Sequence, residues 1–241
     1  MEDKDLYNAI WRRRSVRAFS EKHIEKDKIE ALRGSISSLN GISGLTMGFI
    51  EESDSFHSLK AFRFKNVRSV ITVKGRTNDP HLDEKCGYYG ERIVLEAAAL
   101  GLGTCWVAVT FNKKSGSLDV KEDETIVCAI PVGYGAEEMT ASADVPDAPH
   151  RKTKSISDFL GGNTDVPDWV KAAVKAVQFA PTAMNNQRTG FSYVNGTISA
   201  QTKEGRLNMV DFGITKLHFE LAAKGKFDLG TPSEFVPLKQ K

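Results

Sequence analysis

Four arginines lie close together near the N-terminus, in the stretch WRRRSVRAFS at residues 11–20. The guanidinium group is planar, permanently charged and able to donate two parallel hydrogen bonds, which suits it to a phosphate group. If the stretch is extended, side-chain alternation puts Arg13, Ser15 and Arg17 on one face. Arg14 can then reach the same group from the flank. The stretch predicts either an anion-binding site or a solvated basic surface.

A second basic cluster, HRKTKS at residues 150–155, contains Arg151, Lys152 and Lys154. A phosphate with two negative charges would gain from cations on two sides. A solvated loop explains the same residues, and the sequence by itself does not bring the two clusters together.

The segment APTAMNNQ at residues 180–187 follows an amphipathic pattern and precedes a strand-like one. Pro181 restricts the backbone of this segment. Its polar side chains are those of Thr182, Asn185, Asn186 and Gln187. Amides donate and accept hydrogen bonds at once, which matches the alternating donors and acceptors of a flavin or a nucleobase edge. The alternative is a polar turn after a helix.

Composition excludes several classes of protein. The chain has 241 residues and a net charge of +2, which argues against a general nucleic-acid binder. No apolar run approaches the roughly 20 residues of a membrane span. The three cysteines, Cys86, Cys105 and Cys128, are widely spaced, and the five histidines are scattered. We therefore expect no disulfide framework, no metal site and a cytoplasmic location.

The hydrophobic pattern predicts a layered protein that contains both helices and strands. We predict helices over residues 4–14, 27–38, 86–103, 166–180 and 208–225. We predict strands over residues 45–53, 67–75, 104–111 and 124–135, and a hairpin over residues 191–201 around Asn195-Gly196. Residues 136–165 are predicted to be a connector, and residues 226–241 show little periodicity. A weak repeat relates EAAALG at residues 96–101 to ELAAKG at residues 220–225.

Four segments together resemble the nitroreductase family of flavoproteins: RRSVRAF, GLGTCWVAVTF, RKTKSISDFL and APTAMNNQ. The resemblance implies an α+β fold with a central, mostly antiparallel sheet flanked by helices, and bound FMN. It assigns the FMN phosphate to Arg13, Arg14, Ser15 and Arg17, with help from Arg151, Lys152 or Lys154. It assigns the flavin ring to Pro181, Thr182, Asn185 and Gln187, and places the backbone N–H groups of Ala108 and Val109 beside flavin N5.

The order of these segments is unusual for the family, because the APTAMNNQ loop lies after a second helix near the C-terminus. Family members normally form homodimers in which one subunit supplies the arginines and the other supplies this loop. We infer an internally duplicated pseudo-dimer, with a nearly complete copy at residues 1–160 and a shortened copy at residues 161–241. This resembles the TM-nitroreductase branch and makes a functional monomer possible. The helices at 86–101 and 208–225 would then be pseudo-equivalent.

The resemblance implies an FMN-dependent oxidoreductase that passes hydride from NADH or NADPH to nitroaromatic or quinone-like small molecules by a ping-pong mechanism. It requires no catalytic side chain. The alternative is a flavin- or nucleotide-binding module without turnover. A nucleic-acid binder that uses residues 12–17 is disfavoured, because the charge is nearly neutral and clustered aromatic residues are few.

Overall fold

The computed structural model describes residues 1–57, 61–136, 149 and 151–238. The chain divides into two compact units. Unit 1 comprises residue 1 and residues 12–82 and 92–143; unit 2 comprises residues 2–11, 83–91 and 144–241. The N-terminal helix and part of a central helix thus group with the C-terminal residues. The duplication at residues 1–160 and 161–241 stays a prediction.

Six helices and eight strands follow one another in the described residues. The helices are α1 (Asp3–Ile10), α2 (Lys26–Ser43), α3 (Leu82–Ala99), α4 (Ile156–Phe159), α5 (Asp168–Gln178) and α6 (Asn208–Ala223). The strands are β1 (Gly48–Ile50), β2 (Ser69–Arg76), β3 (Gly103–Thr104), β4 (Glu124–Gly133), β5 (Thr189–Val194), β6 (Thr197–Thr202), β7 (Gly225–Phe227) and β8 (Ser233–Pro237).

Unit 1 contains a four-stranded antiparallel sheet in the order β1-β2-β4-β3. Strands β2 and β4 are buried along almost their whole length, as their continuous apolar runs predict. Side chains on this sheet pack with Phe19, Phe56 and Phe111 into one hydrophobic cluster. The sheet and this cluster form the support for the N-terminal basic stretch.

The predicted strand at residues 104–111 is wrong for most of its length. Strand β3 has only two residues, and then Val107 alone forms a bridge with Ala129 of β4. The Cys105 N–H donates to the carbonyl of Pro131 across this interval. Pro131 has no N–H to return a bond, so the ladder is interrupted there. The chain bends from residue 108 onwards.

Unit 2 contains a second four-stranded antiparallel sheet, in the order β5-β6-β8-β7. The predicted hairpin is confirmed as β5 and β6, and both Asn195 and Gly196 have positive φ angles at its turn. The tail showed little periodicity in the sequence, yet it forms β7 and β8. Helix α6 is buried at every position from Val210 to Leu221.

Helices α3 and α6 approach each other closely at two glycines within unit 2. A Cβ at Gly87 would lie 2.0 Å from the Val210 carbonyl oxygen, and one at Gly213 would lie 2.1 Å from the Glu84 carbonyl oxygen. Such distances are far below van der Waals contact, so only glycine fits either position. The helix pair related by the weak sequence repeat is therefore in direct backbone contact.

The predicted α+β class with mostly antiparallel pairing is confirmed, and the pairing is divided between two sheets. In the part of the chain that the structure describes, every helix is too short or too polar to cross a membrane.

Candidate functional site

The N-terminal basic stretch in unit 1 runs in extended conformation beside β3. The Val16 N–H donates to the Thr104 carbonyl at 2.8 Å, and Ser15 forms a parallel bridge with Thr104. A Cβ at Gly103 would lie 2.6 Å from a methyl carbon of Val16, so the stretch can come this close only because residue 103 is glycine. Extended backbone gives the side-chain alternation on which the prediction depends.

Two further contacts hold the end of the stretch. The Lys65 N–H donates to the Arg17 carbonyl at 2.9 Å, and the Phe19 N–H donates to the Lys65 carbonyl at 3.0 Å. The Phe19 ring is buried in the hydrophobic cluster of unit 1. The phenylalanine that follows the arginines is thus the anchor of the basic stretch.

Arg13, Ser15 and Arg17 all act on the buried thiol of Cys105. Burial raises the pKa of this thiol above its ordinary 9.0, while the charges of Arg17 and Arg13 and a hydrogen bond with Ser15 oppose the rise. Arg13 is only 5% exposed, Ser15 is half-buried and Arg17 is exposed. Arg14, which lies between Arg13 and Ser15, is also exposed. The three alternating residues thus each lie near enough to Cys105 to influence its pKa.

Ala108 and Val109 lie in the bend that follows the Val107 bridge. Ala108 is half-buried and Val109 is exposed. Among the described residues, neither backbone N–H donates a hydrogen bond. These two N–H groups are thus available to an acceptor atom of a ligand.

The donor set of unit 1 fits the phosphate of FMN. Arg13, Arg17 and Ser15 offer two guanidinium groups and a hydroxyl, and charge-assisted donors of this kind bind phosphate oxygens well. The fit depends on donor chemistry and on the extended backbone.

In unit 2, the second basic cluster is bonded to the loop at residues 180–187, which we call the amide loop. Arg151 donates to Asn185 Oδ1 at 2.7 Å and to the carbonyls of Gln178 and Ala180 at 3.0 and 2.5 Å. The Asn185 Nδ2 donates to the Lys152 carbonyl at 2.7 Å. Arg151 thereby joins the end of α5 to the amide loop.

Gln187 is buried at the centre of this bonding. Its Oε1 accepts from Thr153 Oγ1 at 3.0 Å and from the Lys154 N–H at 2.8 Å. Its Nε2 donates to the Lys152 carbonyl at 3.2 Å and to Asn185 Oδ1 at 2.8 Å. An amide can make four hydrogen bonds, so the Gln187 side chain has its full complement within the protein.

The remaining predicted residues of unit 2 complete the same loop. Pro181 is buried, and the Thr182 hydroxyl accepts from the Gln187 N–H at 3.2 Å. Lys154 Nζ donates to the Gln187 carbonyl at 2.6 Å, whereas the Lys152 side chain is exposed. The structure thus brings the second basic cluster and the amide loop together. Most of the hydrogen bonds described for these residues run between the two segments.

The backbone of the amide loop is strained. Met184, Asn185 and Gln187 have φ angles of 52°, 57° and 47°, a left-handed conformation that costs a non-glycine residue roughly 1–2 kcal/mol. Met184 is 94% exposed. Three such residues in four positions persist only where surrounding contacts hold them.

Asp211 supplies one of those contacts, and sequence reasoning missed it. Both of its carboxylate oxygens accept from the Ala183 N–H, at 2.9 and 3.0 Å. Burial raises the pKa of Asp211 to about 7, while the Ala183 hydrogen bond and the charge of Arg188 oppose the rise. The available signal was an aspartate inside NMVDFGITKLHF, a segment that is otherwise mostly apolar.

Among the described residues, no group of three or more His, Cys, Asp or Glu side chains is arranged to hold a metal ion.

Comparison with known proteins gives one family and a set of related folds. The family described as "Putative TM nitroreductase" matches residues 5–223. Among solved structures, a putative nitroreductase from Thermotoga maritima is 22% identical and has a TM-score of 0.63, covering 98% of this chain and 94% of that chain. No curated protein matches.

Two shorter structures are similar to part of the chain. An FMN-dependent nitroreductase from Clostridium difficile R20291 is 22% identical with a TM-score of 0.46, covering 57% of this chain and 91% of that chain. A nitroreductase with bound FMN from Bacteroides fragilis NCTC 9343 is 17% identical with a TM-score of 0.45, covering 61% of this chain and 97% of that chain.

Proposed function

Because the chain belongs to the TM nitroreductase family, we propose that it is an FMN-dependent oxidoreductase that passes hydride from NADH or NADPH to nitroaromatic or quinone-like acceptors. The observation that carries the proposal is the basic stretch bonded beside β3, in which Ser15 bridges Thr104 and Arg13 is only 5% exposed. A stretch that served only as a solvated basic surface would not need a buried arginine.

In this proposal Arg13, Ser15 and Arg17 bind the FMN phosphate, and Arg14 adds charge from the flank. A charge-assisted hydrogen bond contributes roughly 1.5–3 kcal/mol. Three of them contribute roughly 4.5–9 kcal/mol, so the phosphate contacts on a preformed site supply part of the about 8 kcal/mol that micromolar affinity needs, and contacts with the flavin ring supply the rest. The fixed backbone beside β3 keeps that site preformed.

We propose that the N–H groups of Ala108 and Val109 bond flavin N5. Their backbone is held by the adjacent Val107–Ala129 bridge, so both donors keep their direction. When bound, FMN would supply the redox chemistry, taking hydride from the nicotinamide and reducing the acceptor in a ping-pong cycle.

The amide loop is proposed to contribute to flavin binding through Pro181, Thr182, Asn185 and Gln187. Because the Gln187 amide already makes four bonds, we expect it to act by keeping the loop in shape. Arg151, Lys152 and Lys154 support the same loop through their side chains or carbonyls.

We assign no side chain as a general acid, general base or nucleophile. The Cys105 thiol is neutral at pH 7, because burial raises its pKa. A neutral buried thiol does not act as a nucleophile. The role of this chain's residues is to bind, to orient and to supply backbone donors.

The absorption spectrum of the freshly purified protein tests the proposal. A yellow protein that NADH or NADPH bleaches, and that an added quinone or nitroaromatic restores, supports the enzyme. A yellow protein that neither nicotinamide bleaches supports a flavin-binding module without turnover. A colourless protein that does not bind added FMN contradicts both.

Flavin stoichiometry tests the proposed duplication. If residues 1–160 and 161–241 are two copies fused in one chain, we expect about one FMN per chain in a protein that is monomeric during size-exclusion chromatography. Two flavins shared by an obligatory symmetric homodimer would contradict the fused arrangement.

A further inference from the structure

We propose that Asp211 is a positioning residue, which holds the amide loop in its flavin-binding conformation when ionised and loosens it when protonated. This inference rests on the proposed function, because it concerns the regulation of the same flavin-binding loop. It adds a residue that neither the sequence motifs nor the family resemblance assign.

The geometry gives Asp211 direct control of the loop. Asp211 lies in the first turns of α6, a helix that is buried from Val210 to Leu221 and therefore rigid. Its carboxylate receives the Ala183 N–H with both oxygens, one residue before the strained Met184. A fixed acceptor at the start of the strained segment compensates for the left-handed backbone that follows.

The charge around Asp211 makes this contact sensitive to pH. The carboxyl group is only 4% exposed, and burial raises its pKa to about 7. The Ala183 N–H and the positive charge of Arg188 oppose that rise. A carboxylate accepts a hydrogen bond more strongly than a neutral acid does. Protonation near neutral pH therefore weakens the hold on Ala183.

Other charged groups on the neighbouring elements are bound elsewhere. Glu84 of α3 pairs with Lys216, and Tyr88 of α3 donates to Glu220. Arg151 and Lys154 donate to carbonyls of the amide loop. Arg188 donates to the Glu204 carbonyl at 3.0 Å, while its buried Nε lacks a hydrogen-bond partner among the described residues. Arg188 is thus the charge that tunes Asp211.

Hydrogen exchange of the flavin-free protein tests directly whether the Asp211 carboxylate binds the Ala183 N–H. We expect the Ala183 amide, after correction for the intrinsic exchange rate at each pH, to lose protection as pH falls from about 8 to about 6. Asp211→Asn should remove this pH dependence. Arg188→Gln should move its midpoint to higher pH, because it removes the charge that favours the ionised form. Equal, pH-independent protection in all three proteins would overturn the inference.

Flavin binding tests the consequence for function. Riboflavin is the ligand of choice, because it lacks the phosphate that itself titrates near pH 6. We expect wild-type affinity for riboflavin to fall about tenfold between pH 8 and pH 6, and Asp211→Asn to be about tenfold weaker at pH 8 with no pH trend. A wild-type affinity independent of pH contradicts the inference. Absence of any flavin binding contradicts the proposed function, whereas the exchange result still decides the role of Asp211.

Thermal stability tests whether Asp211 titrates near neutral pH in the folded protein, on which the pH dependence of its hold on Ala183 depends. The folded-state pKa of Asp211 is about 7 and its ordinary value is 3.8. The folded state therefore holds the proton longer, and wild-type stability falls as pH rises from about 4 to about 7. Asp211→Asn cannot ionise at this position and does not lose stability in this way. The melting temperature of the variant minus that of the wild type should therefore increase from pH 4 to pH 8. A variant that is equally destabilised at every pH would overturn the assignment.

Discussion

The two basic stretches of this protein look alike in sequence and differ in what their side chains contact. In unit 2, Arg151 and Lys154 donate to backbone and amide oxygens of the amide loop. In unit 1, the charges of Arg13 and Arg17 and the Ser15 hydroxyl oppose the rise that burial causes in the pKa of the Cys105 thiol. Residues 151–154 thus stabilise the chain's own loop, whereas the N-terminal stretch is the one that we propose to bind an anion.

This difference shows that a count of basic residues does not identify a phosphate site. The contacts that each basic side chain makes in the folded protein are needed as well. Backbone carbonyl oxygens that water does not reach need hydrogen-bond donors from the protein. Arg151 and Lys154 donate such bonds to the carbonyls of Ala180 and Gln187. Four predictions test this distinction between the two basic stretches.

The largest effect is expected from Arg13→Ala, which should weaken FMN binding about 100-fold, because it removes a buried charge-assisted donor. Fluorescence titration measures the affinity. Arg17→Ala, at an exposed position, should act in the same direction with a native melting curve. Arg12→Ala, an exposed neighbour outside the alternating face, is the matched control. Retention of stoichiometric flavin in both Arg13→Ala and Arg17→Ala would contradict the phosphate assignment.

Arg151→Ala should instead lower stability, by about 2 kcal/mol in the free energy of unfolding, because two carbonyls lose a donor and Asn185 Oδ1 loses one of its two donors. Urea denaturation of the flavin-free protein measures it. Lys152→Ala, whose side chain is exposed, should change the same quantity by less than about 0.5 kcal/mol. Unchanged stability in Arg151→Ala would remove the distinction between the two stretches.

The ratio of FMN affinity to riboflavin affinity isolates the phosphate contribution. Arg17→Ala should reduce this ratio about tenfold, whereas Lys154→Ala should leave it unchanged even if both affinities fall. Calorimetric titrations with the two ligands measure the ratio. A comparable reduction in both variants would mean that the second basic stretch also binds the phosphate.

The smallest effect is expected from Arg14→Ala, because an exposed flanking cation is screened by solvent and salt. FMN affinity should fall by less than about threefold at 0.15 M salt, and the difference should vanish at about 1 M salt. A loss as large as that of Arg17→Ala, persistent at high salt, would make Arg14 a direct ligand.

Much of the fold followed from local patterns. The amphipathic and apolar runs predicted α2, α3, α5 and α6, and the Asn195-Gly196 pair predicted the hairpin of β5 and β6. Such elements are predictable because periodicity and turn chemistry act over a few residues. The strand at residues 104–111 failed in two places: Pro131, on a distant segment, cannot return a hydrogen bond to Cys105, and the chain bends from residue 108 onwards. β7 and β8 were missed because short strands carry too few residues to show alternation.

In the candidate site, too, some features followed from local sequence and others from residues far apart in the chain. The alternation of Arg13, Ser15 and Arg17 predicted one face, and all three residues influence the pKa of the Cys105 thiol, while their binding of a phosphate stays a prediction. The amides of Asn185 and Gln187 were expected to face a flavin, yet they bond largely to residues 152–154. Residue type shows what a side chain is able to bond, but only its neighbours determine which bond it makes.

By itself the sequence determined the residue chemistry: where cations, amides and apolar runs lie, and which of them resemble a flavoprotein family. Only the tertiary structure decided that one basic stretch lies beside β3, that the other supports the amide loop, and that Asp211 holds Ala183. The physical reason is that burial and partnership set the strength of every charge and hydrogen bond. Both properties depend on residues far apart in the chain.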